Sequence, residues 1–284
     1  MKRFLVIVNE QKSDAQDVGL QIKEYLEQHE CQCMVHKVGG KFTAEGSDVI
    51  PKEVVQDAEC VLVLGGDGTL IRVAARIREY NLPMLGINMG TMGFLTEIEP
   101  NQIAGALGKL MHGEYTIEER MMIAGCVRTA GVQSEEQVAL NDVVLTRAGS
   151  LRVVEFNIYV NGAYLHSYKA DGIIISTPTG STGYNLSAGG PIVEPQAAML
   201  LITPICPHTL NSRTIVLSKD DYIEVEIGPA RNEELEKAEV VFDGYRKVAL
   251  QTGDRVCIRN SESRTRIIKI NERSFLEILR RKMG

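Results

Sequence analysis

A carboxylate set between glycines is the feature of this sequence best suited to chemistry. Residues 65–69 read Gly-Gly-Asp-Gly-Thr and follow Val61–Leu64, an apolar run typical of a buried parallel strand. From Leu70 to Ile77, apolar residues then recur at the spacing of one helical face. Asp67 therefore lies in a tight strand-to-helix turn, where glycines allow close approach to the backbone and the helix N-terminus favours an anion. A carboxylate there can accept a proton from a hydroxyl or hold a cation against phosphates.

The residues of this turn leave a second interpretation open. Gly-Asp-Gly is also an ordinary turn sequence, because aspartate forms local hydrogen bonds to the backbone. The turn does not match the dinucleotide fingerprint G-x-G-x-x-G, since its third glycine would fall at Ile71. No G-x-x-x-x-G-K-[ST] motif occurs in the chain. The turn therefore matches neither of these two common phosphate-binding motifs.

A second glycine-rich segment, residues 171–191, reads DGIIISTPTGSTGYNLSAGGP. Its apolar strand Ile173–Ile175 leads into a loop dense in hydroxyls and glycines, which suit hydrogen bonds to phosphates, riboses or base edges. Tyr184 can stack on a base. The alternative is a polar surface loop. The polar pair Asn141–Asp142 is a weaker signal, since such a pair is also common at a strand edge or turn.

Composition limits the class of protein. The chain has 284 residues, 44% of them hydrophobic, a net charge of −6 and a pI near 5.5, which argues against nucleic acid as the main partner. No apolar run approaches the roughly 20 residues that span a bilayer, and Phe4–Val8 is too short for a signal peptide. Six cysteines without C-x-x-C spacing indicate reduced thiols, so we expect a cytoplasmic protein that contacts neither membrane nor nucleic acid.

The order of predicted elements indicates two domains. In residues 1–110, short buried strands alternate with helices, which predicts a Rossmann-like parallel α/β domain with ligands beyond the carboxyl ends of the strands. Residues 111–271 carry short strands and the turn signals Asn161-Gly162 and Asp243-Gly244, which predict a C-terminal β-sandwich. Residues 272–284 form an amphipathic helix that we expect to pack back on the first domain.

Three motifs in this order make the chain resemble the NAD kinases over nearly its whole length: GGDGT at 65–69, LNDVV at 140–144 and the segment at 171–191. GGDGT alone is shared with diacylglycerol and sphingoid lipid kinases. The resemblance implies transfer of the γ-phosphoryl group of ATP, with Mg²⁺, to the 2′-hydroxyl of the adenosine ribose of NAD. It also implies a homodimer or homotetramer that binds NAD between its domains and across a subunit interface.

The resemblance also implies a role for individual residues. Asp67 would be the catalytic general base, and Asn141 and Asp142 would hold the adenosine half of NAD. The other implied nucleotide-binding residues are Gly66, Gly68 and Thr69 for phosphates, and Arg152, Lys169, Asp171, Thr182, Gly183, Tyr184, Asn185 and Ser187 for the dinucleotide. No residue is assigned as a resident metal ligand.

The chain departs from its relatives at three positions. Many relatives carry Glu at the position of Asp142, Ala at that of Gly183 and Gln at that of Tyr245. Two other functions stay open from the motifs: a lipid kinase of the same superfamily, and a nucleotide sensor without catalysis. The acidic composition and the third motif argue against the first, and the intact Asp67 argues against the second.

Overall fold

The structure is a computed structural model that describes residues 1–39, 50–90, 92–149, 152–209, 211–229, 235–271 and 273–283. The chain divides into two compact units. Unit 1 comprises Met1–Arg120 and Ser263–Gly284, and unit 2 comprises Met121–Glu262. No helix among the described residues is long and apolar enough to cross a membrane.

The secondary structure alternates strand and helix at first and is then almost entirely β. The strands are β1 (Arg3–Asn9), β2 (Gln32–Val38), β3 (Cys60–Gly65), β4 (Pro83–Asn88), β5 (Thr116–Thr129), β6 (Val132–Gln133), β7 (Gln137–Ala139), β8 (Asp142–Arg147), β9 (Val154–Val160), β10 (Ala163–Ala170), β11 (Gly172–Ser176), β12 (Met199–Ile205), β13 (Ile215–Ser218), β14 (Ile223–Ile227), β15 (Lys237–Phe242), β16 (Arg246–Gln251) and β17 (Arg255–Lys269). The helices are α1 (Ala15–Gln28), α2 (Lys52–Val55), α3 (Asp67–Ile77), α4 (Ile103–His112), α5 (Tyr184–Ser187) and α6 (Phe275–Met283).

Unit 1 is built on a parallel sheet in the order β2-β1-β3-β4, with the last part of β17 parallel to β4. Phe4, Val6 and Val8 of β1 share a core cluster with apolar residues of α1 and α4. Leu5 and Ile7, on the opposite face of the same strand, are equally buried. Both faces of the sheet are therefore covered, which explains the continuous apolar runs of β1 and β3.

Unit 2 is a β-sandwich. One sheet has the order β13-β12-β11-β8-β15-β16, and the other contains β10, β9, β14 and the first part of β17. Inward-facing residues of both sheets form one core, from Val143 and Ile173 on the first sheet to Phe156 and Val256 on the second. The fold class expected from the sequence, a parallel α/β domain followed by a β-sandwich, is confirmed.

Both hairpins signalled by an X-Gly pair are present. Asn161 and Gly162 join β9 to β10 with φ of 51° and 78°. Asp243 and Gly244 join β15 to β16 with φ of 48° and 73°. Two successive left-handed residues make the type I′ turn that matches the twist of paired strands, and asparagine, aspartate and glycine tolerate that conformation best.

The stretch 138–146 has the apolar residues of a single strand in the sequence, but it is interrupted in the structure. It separates into β7 and β8, with Leu140 and Asn141 outside both. The backbone N–H groups of Leu140, Asn141 and Asp142 donate to the carboxylate of Asp243 at 2.7, 2.8 and 3.1 Å. The Asp243 side chain thus accepts the hydrogen bonds that a neighbouring strand would otherwise accept. Hydropathy patterns do not reveal such an interruption of a strand.

The C-terminal helix α6 contacts the loop that follows β4. The Phe275 ring lies 6.2 Å from the ring of Phe94, and the Lys282 ammonium lies 5.2 Å from the centre of that same ring. Lys282 Nζ also donates to the carbonyl of Met92. The apolar stripe of α6 is only half-buried, and Leu276 is 71% exposed.

The end of β17 is attached to the same loop by a buried ion pair. Glu97, 4% exposed, pairs with Lys269 and also accepts the backbone N–H groups of Ile270 and Asn271 at 3.1 and 2.8 Å. Removing one partner of such a pair leaves a buried charge without compensation, which costs far more than losing an exposed pair.

We expect Lys269→Met to lower the free energy of unfolding by about 3 kcal/mol, because Glu97 is then left charged and buried. Lys247→Met is the matched control, since Lys247 pairs with Glu239 on the surface, and it should cost less than about 1 kcal/mol. Urea unfolding at neutral pH measures both. Adding Glu97→Gln to Lys269→Met should recover part of the loss, and equal losses in the two lysine variants would contradict the argument.

Candidate active site

Asp67 is the first residue of α3 and directly follows the extended Gly66 at the carboxyl end of β3. Its carboxylate is held by the loop after β4. Phe94 N–H donates to Oδ2 at 2.6 Å, and Leu95 and Thr96 N–H donate to Oδ1 at 3.1 and 3.2 Å. An ionised carboxylate offers about four acceptor positions. Three are occupied in a fixed geometry, and one is left for a further donor.

Four glycines around Asp67 fall into two kinds. A methyl group on Gly93 would lie 1.9–2.2 Å from the Asp67 carboxylate, and one on Gly65 would lie 2.5 Å from Thr69 Oγ1. These two glycines are required by the packing of the chain itself. A methyl group on Gly66 or Gly68 would meet nothing within 4 Å. Open space at these two positions exposes the backbone of the helix N-terminus, where N–H groups lack intrahelical acceptors.

The side chain of Thr69 is engaged within the protein. Its side chain is 3% exposed, and its hydroxyl accepts a hydrogen bond from Asn9 Nδ2 at 2.9 Å. Its backbone N–H donates to the Gly66 carbonyl at 2.9 Å. Thr69 therefore connects the glycine turn to β1 through its side chain. The chain has another glycine-containing turn, Gly90-Thr91-Met92-Gly93-Phe94, after β4, and its residue Thr91 lies outside the described residues.

In unit 2, a cavity of about 350 Å³ lies beside the Asp243 turn. It is lined by residues of β8, of the segment just before it, of α5 and of the β15–β16 hairpin: Asn141, Asp142, Val144, Thr146, Tyr184, Val241, Asp243 and Gly244. Asn141 Oδ1 is buried and has no hydrogen-bond partner among the described residues. A buried acceptor of this kind is costly unless something donates to it, so it marks a place where a ligand's N–H or O–H group fits. Tyr184, 46% exposed, offers its ring to the same cavity.

Two carboxyl groups of this cavity have raised pKa values. Burial, together with the smaller effect of the neighbouring Asp243 carboxyl group, raises the pKa of Asp142 to about 7. Burial raises the pKa of Asp243 to about 6, against the three backbone N–H groups that favour its charged form. Near neutral pH, Asp142 is therefore close to half protonated, and a protonated carboxyl can donate as well as accept a hydrogen bond.

Much of the hydroxyl-rich loop holds the chain in place. Thr177 Oγ1 donates to the Leu140 carbonyl at 2.6 Å and accepts Gly180 N–H at 3.1 Å. Ser176 Oγ donates to the Thr177 carbonyl at 3.0 Å. A methyl group on Gly180 would lie 2.2 Å from the Asn141 carbonyl oxygen. These groups fix the backbone of Leu140 and Asn141, and so the first half of the loop positions the cavity wall.

The implied dinucleotide residues of this loop separate into two groups. Asn185 is fully buried: its Nδ2 donates to the Ser181 and Pro191 carbonyls at 3.2 and 3.1 Å, and its Oδ1 accepts the Thr203 hydroxyl at 2.6 Å. Its amide group therefore makes three hydrogen bonds within unit 2, two of them inside the loop itself. Thr182 and Gly183 are half-buried, and Ser187 is exposed.

Three implied charged residues lie outside the lining of this cavity. Asp171 accepts Arg147 Nε at 2.9 Å, and Lys169 pairs with Glu155 at 3.4 Å. Arg152 is exposed. Sequence reasoning passed over two residues of the site. From the sequence, Asp243 is recognisable only as part of a turn, and Gly93 only as part of a glycine-containing loop. That loop follows β4 at the same edge of the sheet as Asp67, and this position was a signal that could have been used to place Gly93 in the site.

Unit 1 is a parallel α/β unit in which a glycine turn holds an aspartate beside a helix N-terminus. Unit 2 is a β-sandwich with a polar cavity, and one buried acceptor of this cavity has no hydrogen-bond partner among the described residues. These features define a class: two-domain nucleotide kinases with an aspartate in a Gly-Gly-Asp-Gly turn. Residues 4–115 match the family model of the ATP-NAD kinase N-terminal domain, and residues 140–270 match that of the C-terminal domain. The chain belongs to the ATP-NAD kinase family.

Known relatives agree over the whole chain. The NAD kinase of Lachnoclostridium phytofermentans is 42% identical over 286 aligned residues, covering 100% of this chain and 99% of the relative. That of Agathobacter rectalis is 44% identical over 294 residues with the same coverage. The lipid kinase alternative is set aside by this membership.

Solved structures share the fold. The crystal structure of yeast NADH kinase complexed with NADH has a TM-score of 0.83 at 22% identity, covering 98% of this chain and 86% of the yeast chain. An NAD kinase from Archaeoglobus fulgidus in complex with ATP has a TM-score of 0.78 at 24% identity, covering 99% and 98%.

The raised pKa values predict a pH-dependent stability. Asp142 and Asp243 ionise near 4 in the unfolded chain and near 7 and 6 in the folded one. The folded state therefore holds more protons, so this contribution to stability is full below about pH 4 and is lost as pH rises through about 6 to 7. Asp142→Asn should remove most of this loss, so its melting temperature relative to wild type should rise from about pH 5 to about pH 8.

Thermal unfolding followed by circular dichroism at both pH values measures this difference. Asp220→Asn is the matched control, because Asp220 is exposed in the same unit, and its difference from wild type should not change with pH. A pH-independent difference for Asp142→Asn would show that the carboxyl of Asp142 keeps an ordinary pKa in the folded chain.

Proposed function

We propose that this NAD kinase transfers the γ-phosphoryl group of ATP to the 2′-hydroxyl of the adenosine ribose of NAD, with Asp67 as general base. The observation that carries the proposal is the fixed carboxylate of Asp67, held by three backbone N–H groups between two glycines that face open space. A ribose hydroxyl is a poor nucleophile until a base takes its proton.

The proposed reaction is a direct displacement. The 2′-oxygen bonds to the γ-phosphorus as the bond from that phosphorus to the β,γ-bridging oxygen breaks, which yields NADP and ADP. The 2′-hydroxyl proton passes to the free acceptor position of the Asp67 carboxylate. Little covalent work is left to the protein, since phosphoryl transfer depends mainly on positioning and charge neutralisation. The hydrogen bonds from Phe94, Leu95 and Thr96 supply the positioning of the base.

The donor phosphates are assigned to the open backbone of Gly66 and Gly68. Helix N-termini bind phosphates through free N–H groups and the positive end of the helix dipole. Mg²⁺ is assigned as part of the ATP substrate, where it neutralises phosphate charge. This ion usually keeps several waters and binds proteins through only one or two carboxylates.

The adenosine half of NAD is assigned to the unit 2 cavity. Asn141 Oδ1 offers an unused acceptor to a ribose hydroxyl or base N–H group, and Tyr184 offers a ring for stacking. Asp142, poised near its pKa, can accept from or donate to a ribose hydroxyl. The proposed contacts with the dinucleotide also include Thr182, Gly183 and Ser187. The rest of NAD is assigned to Arg152, Lys169 and Asp171. Asn185 is assigned to holding the loop.

We further infer a cytoplasmic homo-oligomer, either a dimer or a tetramer. All six cysteines are free, four of them buried, as expected of a protein kept in a reducing compartment. Burial raises the pKa of the Cys60 and Cys33 thiols well above their ordinary value, which keeps these thiols protonated and unreactive. Size-exclusion chromatography with light scattering determines the subunit number.

Asp67→Asn should lower kcat by on the order of 10²–10⁴ and leave the Kd for NAD unchanged, because it removes the base without touching the unit 2 cavity. The NH₂ group of the new asparagine would face a backbone N–H group that now donates to the carboxylate. One hydrogen bond is therefore lost, and we expect a small fall in melting temperature. A coupled dehydrogenase assay of NADP formation and isothermal titration with NAD measure both quantities. Asp57→Asn, on an exposed residue, is the control. A kcat above about a tenth of wild type would remove Asp67 as the base.

Asn141→Ala should raise KM for NAD about five- to tenfold, the cost of one hydrogen bond, and leave KM for ATP within about threefold. Its melting temperature should not fall much, because Oδ1 has no partner to lose among the described residues. Asn185→Ala is the contrasting variant, since it deletes three hydrogen bonds and should melt at a clearly lower temperature. Equal changes in both KM values would contradict the assignment of Asn141 to the acceptor.

A further inference from the structure

Two free cysteines of unit 2, Cys126 and Cys257, lie on neighbouring strands, and we call them the thiol pair. Cys126 is on β5 and Cys257 is on β17, and these strands pair in one sheet. The two side chains are in hydrogen-bonding contact. A methyl group on Gly125 would lie 3.3 Å from the Cys257 carbonyl oxygen, so the two backbones also come together here. Facing Cβ atoms on paired strands are about 4.5–5.5 Å apart, and a disulfide joins Cβ atoms about 3.5–4.5 Å apart. The thiol pair is therefore within reach of a disulfide bond.

The thiol pair lies on the outward face of its sheet. Val127 and Val256, each next to one of the cysteines in the chain, belong to the core between the two sheets. Because side chains alternate along a strand, Cys126 and Cys257 point the other way. They are nevertheless only 6% and 3% exposed. Other side chains on the outward face therefore cover them.

Two ion pairs lie on the same face as the thiol pair. Two residues after each cysteine stands an arginine, Arg128 on β5 and Arg259 on β17. Arg128 Nη1 lies 3.5 Å from Glu224 Oε1, and Arg259 Nη2 lies 2.7 Å from Glu136 Oε2. The two arginine side chains are 41% and 46% exposed. Exposed ion pairs add little to stability, so this cover opens at little cost and then admits a small reagent.

The two thiols have different surroundings. The Cys257 S–H group donates to Glu224 Oε1 at 3.8 Å, so a carboxylate is in place to take its proton. Burial raises the pKa of the Cys126 thiol, and the neighbouring Cys257 raises it as well. Since the thiolate is the nucleophile in thiol–disulfide exchange, these surroundings suit Cys257 to react first and Cys126 to react second.

The thiol pair also stands at both ends of unit 2. This unit comprises Met121–Glu262, so Cys126 lies five residues after its first residue and Cys257 lies five residues before its last. A bond between the two sulfurs would close almost the whole unit into one covalent loop. In the chain-entropy account, a disulfide that closes a long loop restricts the unfolded chain most.

We propose that Cys126 and Cys257 form a reversible intramolecular disulfide by exchange with a low-molecular-weight disulfide. The Cys257 proton passes to Glu224, the Cys257 sulfur bonds to one sulfur of the reagent, and the S–S bond of the reagent breaks to release one thiolate. The Cys126 sulfur then bonds to the Cys257 sulfur and expels the second thiolate. The two released thiolates take up the protons of the two cysteines.

The exchange balances without a further reactant. Two protein thiols are oxidised to one disulfide, and one reagent disulfide is reduced to two thiols. The thiol pair does not rest on the proposed function, because neither cysteine is among the residues that hold Asp67 or line the unit 2 cavity.

Peptide mapping of the full chain after incubation with glutathione disulfide tests the proposal. Free thiols are blocked with N-ethylmaleimide in denaturant, and the digest is analysed by mass spectrometry without reduction. Two peptides linked through Cys126 and Cys257 are expected, and dithiothreitol should separate them. The oxidised protein should melt several degrees higher than the reduced protein, because the closed loop restricts the unfolded chain.

Two variants control for the other thiols. Cys126→Ser keeps the exposed Cys206, which also reacts with glutathione disulfide, but it should give neither the linked peptides nor the rise in melting temperature. Cys60→Ala removes a buried thiol of unit 1 and should form the linked peptides as wild type does. Melting curves of both variants in the reduced state confirm that they fold.

Four results would overturn the proposal. The first is N-ethylmaleimide on both Cys126 and Cys257 after oxidation of wild type. The second is glutathione retained on Cys257 without a link to Cys126. The third is a link between two chains, seen as a dimer on a non-reducing gel. The fourth is an equal rise in melting temperature in wild type and Cys126→Ser.

Discussion

The structure of the candidate site depends on one interaction, the capture of three consecutive backbone N–H groups by the Asp67 carboxylate. Phe94, Leu95 and Thr96 belong to a loop that has no regular partner, so their N–H groups need an acceptor. The same bonds fix the orientation of the carboxylate, which two rotatable bonds would otherwise leave free. They also require a glycine at position 93, because any side chain there would occupy the place of the carboxylate.

The same device recurs at two other carboxylates. Asp243 accepts the N–H groups of Leu140, Asn141 and Asp142, and Glu97 accepts those of Ile270 and Asn271. In each case an acidic side chain replaces a strand neighbour and stops the sheet pattern where the chain has to turn. Charged acceptors make stronger hydrogen bonds than neutral ones, so these irregular segments are held nearly as firmly as the sheets beside them.

The sequence predicted the regular parts of the fold well, because burial leaves a clear pattern. The apolar run of β3 and the Asn161-Gly162 and Asp243-Gly244 turns appear where expected. The strand β2, by contrast, was missed, since its exposure follows no simple alternation. Asp67, Asn141 and Asp142 could be named as candidates from their motifs, but the parts played by Asp243, Gly93 and Asn185 depend on contacts across tens of residues. No local pattern encodes such contacts.

Asp67 and Asp142, the two carboxyl groups assigned to chemistry in this chain, lie in different surroundings. Asp67 is half-buried, and three backbone N–H groups hold its carboxylate in one orientation. Asp142 has no such donors at its carboxyl group among the described residues and lies beside a second acid, so burial raises its pKa to about 7. A base has to be ionised before the reaction, whereas a group that only grips a hydroxyl works in either protonation state. Backbone N–H groups thus fix the position of the Asp67 carboxylate, whereas burial sets the pKa of the Asp142 carboxyl group.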